Sequence, residues 1–295
     1  MTKPLFLKPQ ACLGIVFPAS PMPGDRLEES LGLLAGYGFR VARSAVERHE
    51  VHFLAGSDAE RLQDLTNAFR MPGVSAVMAS RGGHGCLRLL PGLDWNSLPK
   101  EKPLVGFSDL TALHLSRLSR TGLGGWHAPV ASGLARLGPQ ARDESMADLM
   151  GRGKKKWAFQ PVEAGLARGP LVGGNLTLLN ALLGTGHLPS LDGAILMLED
   201  VGERGYRLDR HLSVLGLSGR LAGLAGCVFG DFSDCGDQEL VDWIIGSFAS
   251  RCLPGVPVAR GAPFGHGRRN LPWWYGEDAE LEVWHGAAEL RFLER

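Results

Sequence analysis

The first half of the chain alternates short apolar runs with amphipathic helical patterns, and this alternation restricts the possible folds more than any other feature. Apolar runs at residues 13–17, 39–42, 76–79 and 104–107 predict buried strands. Predicted helices start at Asp25, as N-cap, and at the capping box Ser57-Asp58-Ala59-Glu60. Such alternation favours an α/β fold whose parallel sheet is covered on both faces, with ligands gathered at the carboxyl ends of the strands.

The chain divides where this pattern weakens. Between about residues 134 and 165 the sequence holds several glycines and the run Lys154-Lys155-Lys156, which is short enough to be a solvated loop. We predict an N-terminal domain over residues 1–150, a linker over 151–165 and a C-terminal domain over 166–295. In the last, Asn175 is expected to cap a helix, and strands are predicted at 194–198, 280–284 and 289–292.

Charge and cysteine content exclude several classes of protein. The 295 residues carry 31 Lys and Arg against 31 Asp and Glu, so no net field draws the chain to nucleic acid or to a membrane surface. No apolar run approaches the ~18 residues of a membrane span. The five cysteines lack the paired spacing of zinc or redox sites and suit a reduced compartment. We expect a cytoplasmic protein.

A serine follows the predicted strand at 104–107, in Gly106-Phe107-Ser108-Asp109. Such a serine is commonly a helix N-cap. A serine at a sharp strand-to-helix turn can also project its hydroxyl above the sheet as a nucleophile, with the next backbone N–H facing the oxyanion. The full G-x-S-x-G elbow is absent because Leu110 occupies its last position. The local sequence leaves both interpretations open.

A glycine-rich segment, Arg81-Gly82-Gly83-His84-Gly85, follows the strand at 76–79. Its glycines would let the backbone approach a substrate closely, although a plain tight loop has the same composition. Cys86 stands where a dinucleotide fingerprint requires glycine, so nucleotide-cofactor binding is not supported.

Carboxylates and a histidine complete the candidates. Glu199, Asp200 and Glu203 follow a predicted buried strand, and His266 lies between Gly265 and Gly267. His49 and His52 lack the H-E-x-x-H spacing of a zinc hydrolase, so no metal site is expected.

Taken together and in this order, these motifs resemble the serine LD-carboxypeptidase family, also called muramoyl-tetrapeptide carboxypeptidases. The similarity covers nearly the whole chain. It rests on Phe53-Leu54-Ala55-Gly56, Arg61-Leu62-Gln63-Asp64-Leu65, Arg81-Gly82-Gly83-His84-Gly85, Gly106-Phe107-Ser108-Asp109-Leu110, Gly173-Gly174-Asn175-Leu176, Leu183-Gly184-Thr185, Leu198-Glu199-Asp200-Val201-Gly202-Glu203, Arg207-Leu208-Asp209-Arg210 and Phe264-Gly265-His266-Gly267.

The resemblance implies a flavodoxin-like N-terminal domain and a smaller mixed α/β C-terminal domain. It also implies a catalytic triad in which Ser108 is the nucleophile, His266 the general base and Glu199 the residue that orients it. The N–H groups of Gly83 and Asp109 would form the oxyanion hole. The substrate-binding candidates are Arg81, Gly82, His84, Arg88 and Glu203.

The implied reaction is metal-independent and cofactor-independent hydrolysis of the amide bond before the terminal D-alanine of a murein tetrapeptide, in peptidoglycan recycling. A carboxypeptidase also needs a cation for the carboxylate of the leaving residue, because an unpaired carboxylate is costly to bury. The candidates, among which the sequence does not discriminate, are Arg81, Arg88, Arg207, Arg268 and Arg269. A homodimer is expected, although no sequence pattern specifies it.

Two alternatives remain open. The related microcin C self-immunity hydrolases share the implied triad but cut acylated nucleotide analogues, and an aromatic residue placed to stack on a nucleobase would favour that activity. Trp273 or Trp274 could be that residue, although packing in the core is the commoner role of such a pair and a dimer contact is a third. The other alternative is a non-catalytic binder of murein peptides.

Overall fold

The four apolar runs of the first half and one further segment, residues 126–127, form five parallel strands of one sheet. The structure, a computed structural model, describes residues 3–47, 49–153 and 156–293. The strands are β1 (Cys12–Val16), β2 (Arg40–Arg43), β3 (Ala76–Ala79), β4 (Leu104–Val105) and β5 (Trp126–His127). Their order in the sheet is β2-β1-β3-β4-β5, which is the flavodoxin order. The expectation of a parallel sheet in a mixed α/β protein is therefore confirmed.

Helices cover both faces of this sheet. They are α1 (Gly24–Gly36), α2 (Asp58–Arg70), α3 (Thr111–Thr121), α4 (Ala131–Leu134) and α5 (Pro139–Leu149). Side chains of α1 and α5 pack with Leu13 and Ile15 on one face, whereas those of α2 and α3 pack on the other. Each fully buried aliphatic side chain stabilises the fold by about 1.5–3 kcal/mol relative to an exposed one. The apolar side chains on both faces of the sheet therefore hold the helices against it.

The predicted helix caps are partly confirmed. Ser57 Oγ accepts from the Glu60 amide at 3.3 Å, and the Ser57 amide donates to the Glu60 carboxylate at 2.7 Å, which completes the capping box of α2. Asn175 Oδ1 accepts from the Leu178 amide, as expected for a cap. The prediction for Asp25 is wrong, because α1 begins at Gly24 and places this carboxylate inside the first turn.

Seven strands of the described chain close into a barrel. In barrel order they are β10 (Val258–Arg260), β6 (Lys156–Glu163), β13 (Ala287–Phe292), β12 (Asp278–Trp284), β7 (Gly165–Asn175), β8 (Ile195–Val201) and β9 (Gly226–Ser233). Strands β7 to β10 are parallel to one another, and the remaining pairings are antiparallel. Three helices accompany them: α6 (Leu176–Ala181), α7 (Gly205–Leu217) and α8 (Gln238–Cys252).

A strand lies within the segment predicted as a linker, residues 151–165. Strand β6 occupies it, pairs with two other strands of the barrel, and carries Lys156, whose ammonium lies 2.9 Å from Glu289. Lys154 and Lys155, the rest of the predicted basic loop, lie outside the described residues. The domain boundaries stay a prediction.

A two-residue strand joins the two halves. β11 (Trp273–Trp274) comes from the second half of the chain but pairs antiparallel with β5 at the edge of the first sheet. Both indoles are buried, at 0% and 2% exposure. The core interpretation of this tryptophan pair is confirmed, which leaves neither ring free for a nucleobase or a partner. No helix within the described ranges combines the length and the apolar composition needed to cross a bilayer.

Candidate active site

Ser108 lies on a sharp turn between β4 and α3. Gly106, at φ +159°, starts the turn, and a Cβ there would lie 2.9 Å from Leu110 Cγ. Ser108 has φ +64° and opens a one-turn 3-10 helix, Ser108–Leu110, which leads into α3. Its side chain caps neither helix. The N-cap interpretation is therefore wrong, and the backbone instead projects the hydroxyl out of the turn.

The hydroxyl of Ser108 meets a histidine from the other half of the molecule. His266 Nε2 lies 3.0 Å from Ser108 Oγ, and His266 Nδ1 lies 2.6 Å from Glu199 Oε2. Because an ionised carboxylate can only accept, Nδ1 donates to Glu199, and in the neutral imidazole Nε2 then accepts from the serine hydroxyl. A continuous hydrogen-bonded chain therefore runs from Glu199 to Ser108.

Strand β8 and a loop position the two residues from the second half. Glu199 lies on β8 with its side chain fully buried, paired in register with Asn175 of β7. His266 lies in the loop between β10 and β11, and its ring packs 4.7 Å from that of Phe107. The partner on each side of the imidazole fixes its orientation.

Burial and charge act in opposite directions on this pair. Burial alone lowers the pKa of His266, but the Glu199 charge and hydrogen bond, with smaller contributions from Asp200 and Asp231, raise it to a net value above 6.5. Burial disfavours the charged form of Glu199 too, and for a carboxyl group this raises the pKa. The hydrogen bond to His266 opposes that rise. The imidazole is thus made a stronger base than a free histidine.

The glycine turn (residues 81–85), which follows β3, lies directly against Ser108. A Cβ on Gly82 would be 3.3 Å from Ser108 Oγ. Gly83 has φ +109°, and a Cβ there would be 2.4 Å from Ser20 Oγ, so this position admits only glycine without rearrangement. Among the hydrogen bonds of the described residues, none uses the amide of Gly83 or of Asp109. Two free N–H donors therefore remain beside the serine.

Buried charged side chains hold the glycine turn in place. The Asp109 carboxylate, 2% exposed, accepts from the Cys86 amide at 2.8 Å. The buried Arg61 guanidinium donates to the Gly85 carbonyl at 3.0 Å and to the Pro18 carbonyl. Sequence reasoning missed both contributions. The available signal was that Arg61 and Asp64 fall on the inward face of α2 together with Leu65.

A cavity of about 350 Å³ opens over Ser108 between the two halves. Three of its lining side chains can carry positive charge, Arg81, Arg136 and His266, and none of the lining residues is Asp or Glu. Arg136 was not among the predicted residues because it lies in the weakly patterned segment after residue 134. Arg81, Gly82 and Gly83 line the cavity as the sequence suggested.

Three predicted substrate-binding residues lie outside the lining of this cavity. Arg88 makes a two-pronged ion pair with Asp58, with contacts of 2.8 Å. The exposed His84 ring packs against Phe53, at 5.2 Å between ring centroids. Glu203 lies 3.7 Å from Arg207.

Known protein families and relatives match both halves. The model described as LD-carboxypeptidase N-terminal domain matches residues 13–128, and that described as LD-carboxypeptidase C-terminal domain matches residues 168–281. A putative carboxypeptidase of Streptomyces coelicolor is 37% identical over 300 residues, covering 98% of this chain and 96% of the relative. A murein tetrapeptide carboxypeptidase of Pseudomonas aeruginosa is 39% identical over 289 residues, covering 92% of each chain.

Solved structures agree with this assignment. A muramoyltetrapeptide carboxypeptidase from Oxalobacter formigenes superimposes with a TM-score of 0.82 at 29% identity, covering 96% of this chain and 98% of the other. An MccF-like protein from Bacillus anthracis superimposes over 99% of this chain and 100% of its own with a TM-score of 0.87, but at 24% identity this likeness concerns the fold alone. The chain belongs to the LD-carboxypeptidase family and is a serine-type carboxypeptidase.

Proposed function

We propose that the chain hydrolyses the amide bond before the terminal D-alanine of a murein tetrapeptide, through an acyl-enzyme on Ser108. The observation that carries this proposal is the hydrogen-bonded chain Ser108–His266–Glu199, assembled from both halves beside a glycine turn. The names of the Pseudomonas aeruginosa and Oxalobacter formigenes relatives, a murein tetrapeptide carboxypeptidase and a muramoyltetrapeptide carboxypeptidase, support this substrate class. Cytoplasmic peptidoglycan recycling is the process that would supply this substrate, and a homodimer remains the predicted assembly.

Acylation follows from the geometry. His266 Nε2 takes the hydroxyl proton as Ser108 Oγ attacks the amide carbonyl. The amides of Gly83 and Asp109 donate to the oxygen that becomes negative. The protonated His266 then gives its proton to the nitrogen of the leaving residue, the C–N bond breaks, and an ester on Ser108 remains.

Deacylation repeats these steps with water. His266 removes a proton from water, and the hydroxide attacks the ester carbonyl in the same oxyanion site. The Ser108 oxygen leaves with the proton that His266 returns. Glu199 stays ionised throughout and stabilises the imidazolium that forms twice in each turnover.

The test is mass spectrometry of the products from L-Ala-D-Glu-diaminopimelate-D-Ala. We expect the wild type to release one D-alanine and Ser108→Ala to release none. Ser119→Ala is the matched control, because Ser119 lies on α3, the helix that follows Ser108, with its hydroxyl directed to the Gly186 carbonyl. Near-normal turnover by Ser108→Ala would refute the assignment of the nucleophile.

The same assay separates the alternatives. A microcin-type hydrolase would turn over an aminoacyl sulfamoyl adenylate in preference to the tetrapeptide. A non-catalytic binder would bind the tetrapeptide and release no D-alanine even as the wild type. Neither tryptophan of β11 is available to stack on a nucleobase, since both rings are buried.

A further inference from the structure

The charged side chains that line the cavity over Ser108 are all of the positive type. The side chains of Arg81, Arg136 and His266 line it, with no lining carboxylate to balance them. A cavity of this kind favours a substrate that brings its own negative charge, because a guanidinium and a carboxylate form strong charge-assisted hydrogen bonds. The question is which arginine meets which carboxylate of the substrate.

Of the two arginines that line this cavity, Arg136 is the one whose guanidinium is unengaged. Neither a hydrogen bond nor an ion pair of this guanidinium occurs among the described residues. By contrast, Arg269 lies 2.7 Å from Glu144, and Arg88 is paired with Asp58. Arg81 donates to the Pro21 carbonyl at 2.8 Å. The Arg136 guanidinium can therefore bind a ligand in this cavity without first breaking a hydrogen bond or ion pair within the protein.

The position of Arg136 relates it to the leaving group. His266 protonates the leaving nitrogen, so the leaving residue must lie on the His266 side of the scissile bond. Arg136 also lines an adjoining groove of about 550 Å³ together with Arg268, which is two residues beyond His266. Arg81 instead belongs to the glycine turn, directly before Gly82 and two residues before Gly83, one of the two oxyanion-hole candidates.

We propose that Arg136 binds the α-carboxylate of the leaving D-amino acid and so makes the enzyme a carboxypeptidase. The inference deepens the proposed function and rests on it. The planar guanidinium can donate to both carboxylate oxygens in a two-pronged contact, which a free terminal carboxylate offers and an internal peptide bond does not.

Binding of uncleaved peptides tests this proposal. In a Ser108→Ala background, titration calorimetry would compare the tetrapeptide with its C-terminal amide, in which only the terminal charge is lost. We expect the acid to bind about 10- to 100-fold more tightly than the amide, which is the usual effect of one hydrogen-bonded charge. Adding Arg136→Ala should reduce this ratio to near one, and Arg136→Lys should restore part of it.

Arg269→Ala in the same background is the matched control and should keep the full ratio, because that guanidinium is occupied by Glu144. Arg81→Ala should weaken the acid and the amide equally. The proposal is overturned if Ser108→Ala binds acid and amide alike or binds neither. It is also overturned if the preference for the acid survives Arg136→Ala. Failure of the proposed function would appear elsewhere, as absence of D-alanine release by the wild type.

Discussion

The backbone of Ser108 adopts a conformation that residues other than glycine rarely take. Its φ of +64° lies in the left-handed region, which costs a non-glycine residue roughly 1–2 kcal/mol. The fold tolerates this cost because the left-handed turn projects the hydroxyl to within 3.0 Å of His266 Nε2. Strain concentrated at a reactive residue is typical of functional sites.

We predict that this strain is measurable by comparing Ser108→Gly with Ser108→Ala. Both variants lose the hydroxyl and hence hydrolysis, but only glycine relieves the left-handed strain. Ser108→Gly should therefore exceed Ser108→Ala in free energy of unfolding by about 1 kcal/mol, in urea denaturation. A glycine variant less stable than the alanine variant would show that Ser108 is unstrained.

A second prediction at this scale concerns pH. Because His266 must be neutral to accept a proton, kcat/KM should rise with pH through its pKa, which Glu199 holds above 6.5. Glu199→Gln removes that negative charge, so the acid limb of the profile should move to lower pH. The rate constant kcat should also fall by roughly 10⁴, as in a Ser–His–Asp triad whose Asp is replaced by Asn.

Asp231→Asn is the graded control for this profile, since Asp231 raises the pKa of His266 by a smaller amount. Its acid limb should shift less than that of Glu199→Gln. An acid limb that stays unchanged in Glu199→Gln would mean that another group controls the profile.

At the scale of elements, the site depends on how the glycine turn is fixed to its neighbours. Arg61 of α2 holds the Gly85 carbonyl, and Asp109 holds the Cys86 amide from the side of the nucleophile. The turn therefore moves with α2 and with the start of α3. Gly83 fits between them only because it lacks a side chain against Ser20.

We predict that Gly83→Ala damages both stability and catalysis. The left-handed φ alone should lower the free energy of unfolding by about 1–2 kcal/mol, and the clash with Ser20 adds to it. A displacement of about 1 Å in the oxyanion site would lower kcat about 100-fold. Gly32→Ala in α1 is the control: a Cβ there meets nothing within 4 Å, so stability should rise by about 0.5–1 kcal/mol. Unchanged kcat in Gly83→Ala would exclude the turn from catalysis.

The elements that the sequence predicted best are those with an uninterrupted apolar pattern. Strand β3 matches the predicted run at 76–79 residue for residue. Strand β6 was missed because it contains Pro161 and alternates exposed side chains with buried or half-buried ones, so its apolar run is only three residues long. Strand β11 is two residues long, and its pairing with β5 is a long-range contact that no local pattern encodes.

The residues of the site show the same contrast between local sequence patterns and long-range contacts. Ser108, Glu199 and His266 stand in motifs at strand ends or in a glycine-flanked loop, so the sequence marked them as candidates, and the resemblance to a family supplied their roles. Arg136 carries no local motif, and only the folded chain brings it to the cavity. The occupation of Arg88 by Asp58 is likewise a tertiary pairing between side chains 30 positions apart.

At the scale of the whole molecule, the two halves share one core. A single cluster of buried apolar side chains runs from Leu65 and Leu113 of the first half to Leu196 and Leu281 of the barrel. The Tyr275 ring stacks on His114 at 4.5 Å, and its hydroxyl donates to the Gly173 carbonyl. This shared core fixes Ser108 relative to Glu199 and His266.

We therefore predict that the chain unfolds as one cooperative unit. Tryptophan fluorescence and far-ultraviolet circular dichroism should follow the same urea transition. Trp273→Ala, at the seam where β11 pairs with β5, should lower the free energy of unfolding by about 3–5 kcal/mol and shift both signals together. Trp243→Ala is the control, because the Trp243 side chain on α8 is 64% exposed and its loss should change stability by less than about 0.5 kcal/mol. If the halves were independent, Trp273→Ala would shift one of two transitions and leave the other in place, and the triad would then depend on a mobile interface instead of a common core.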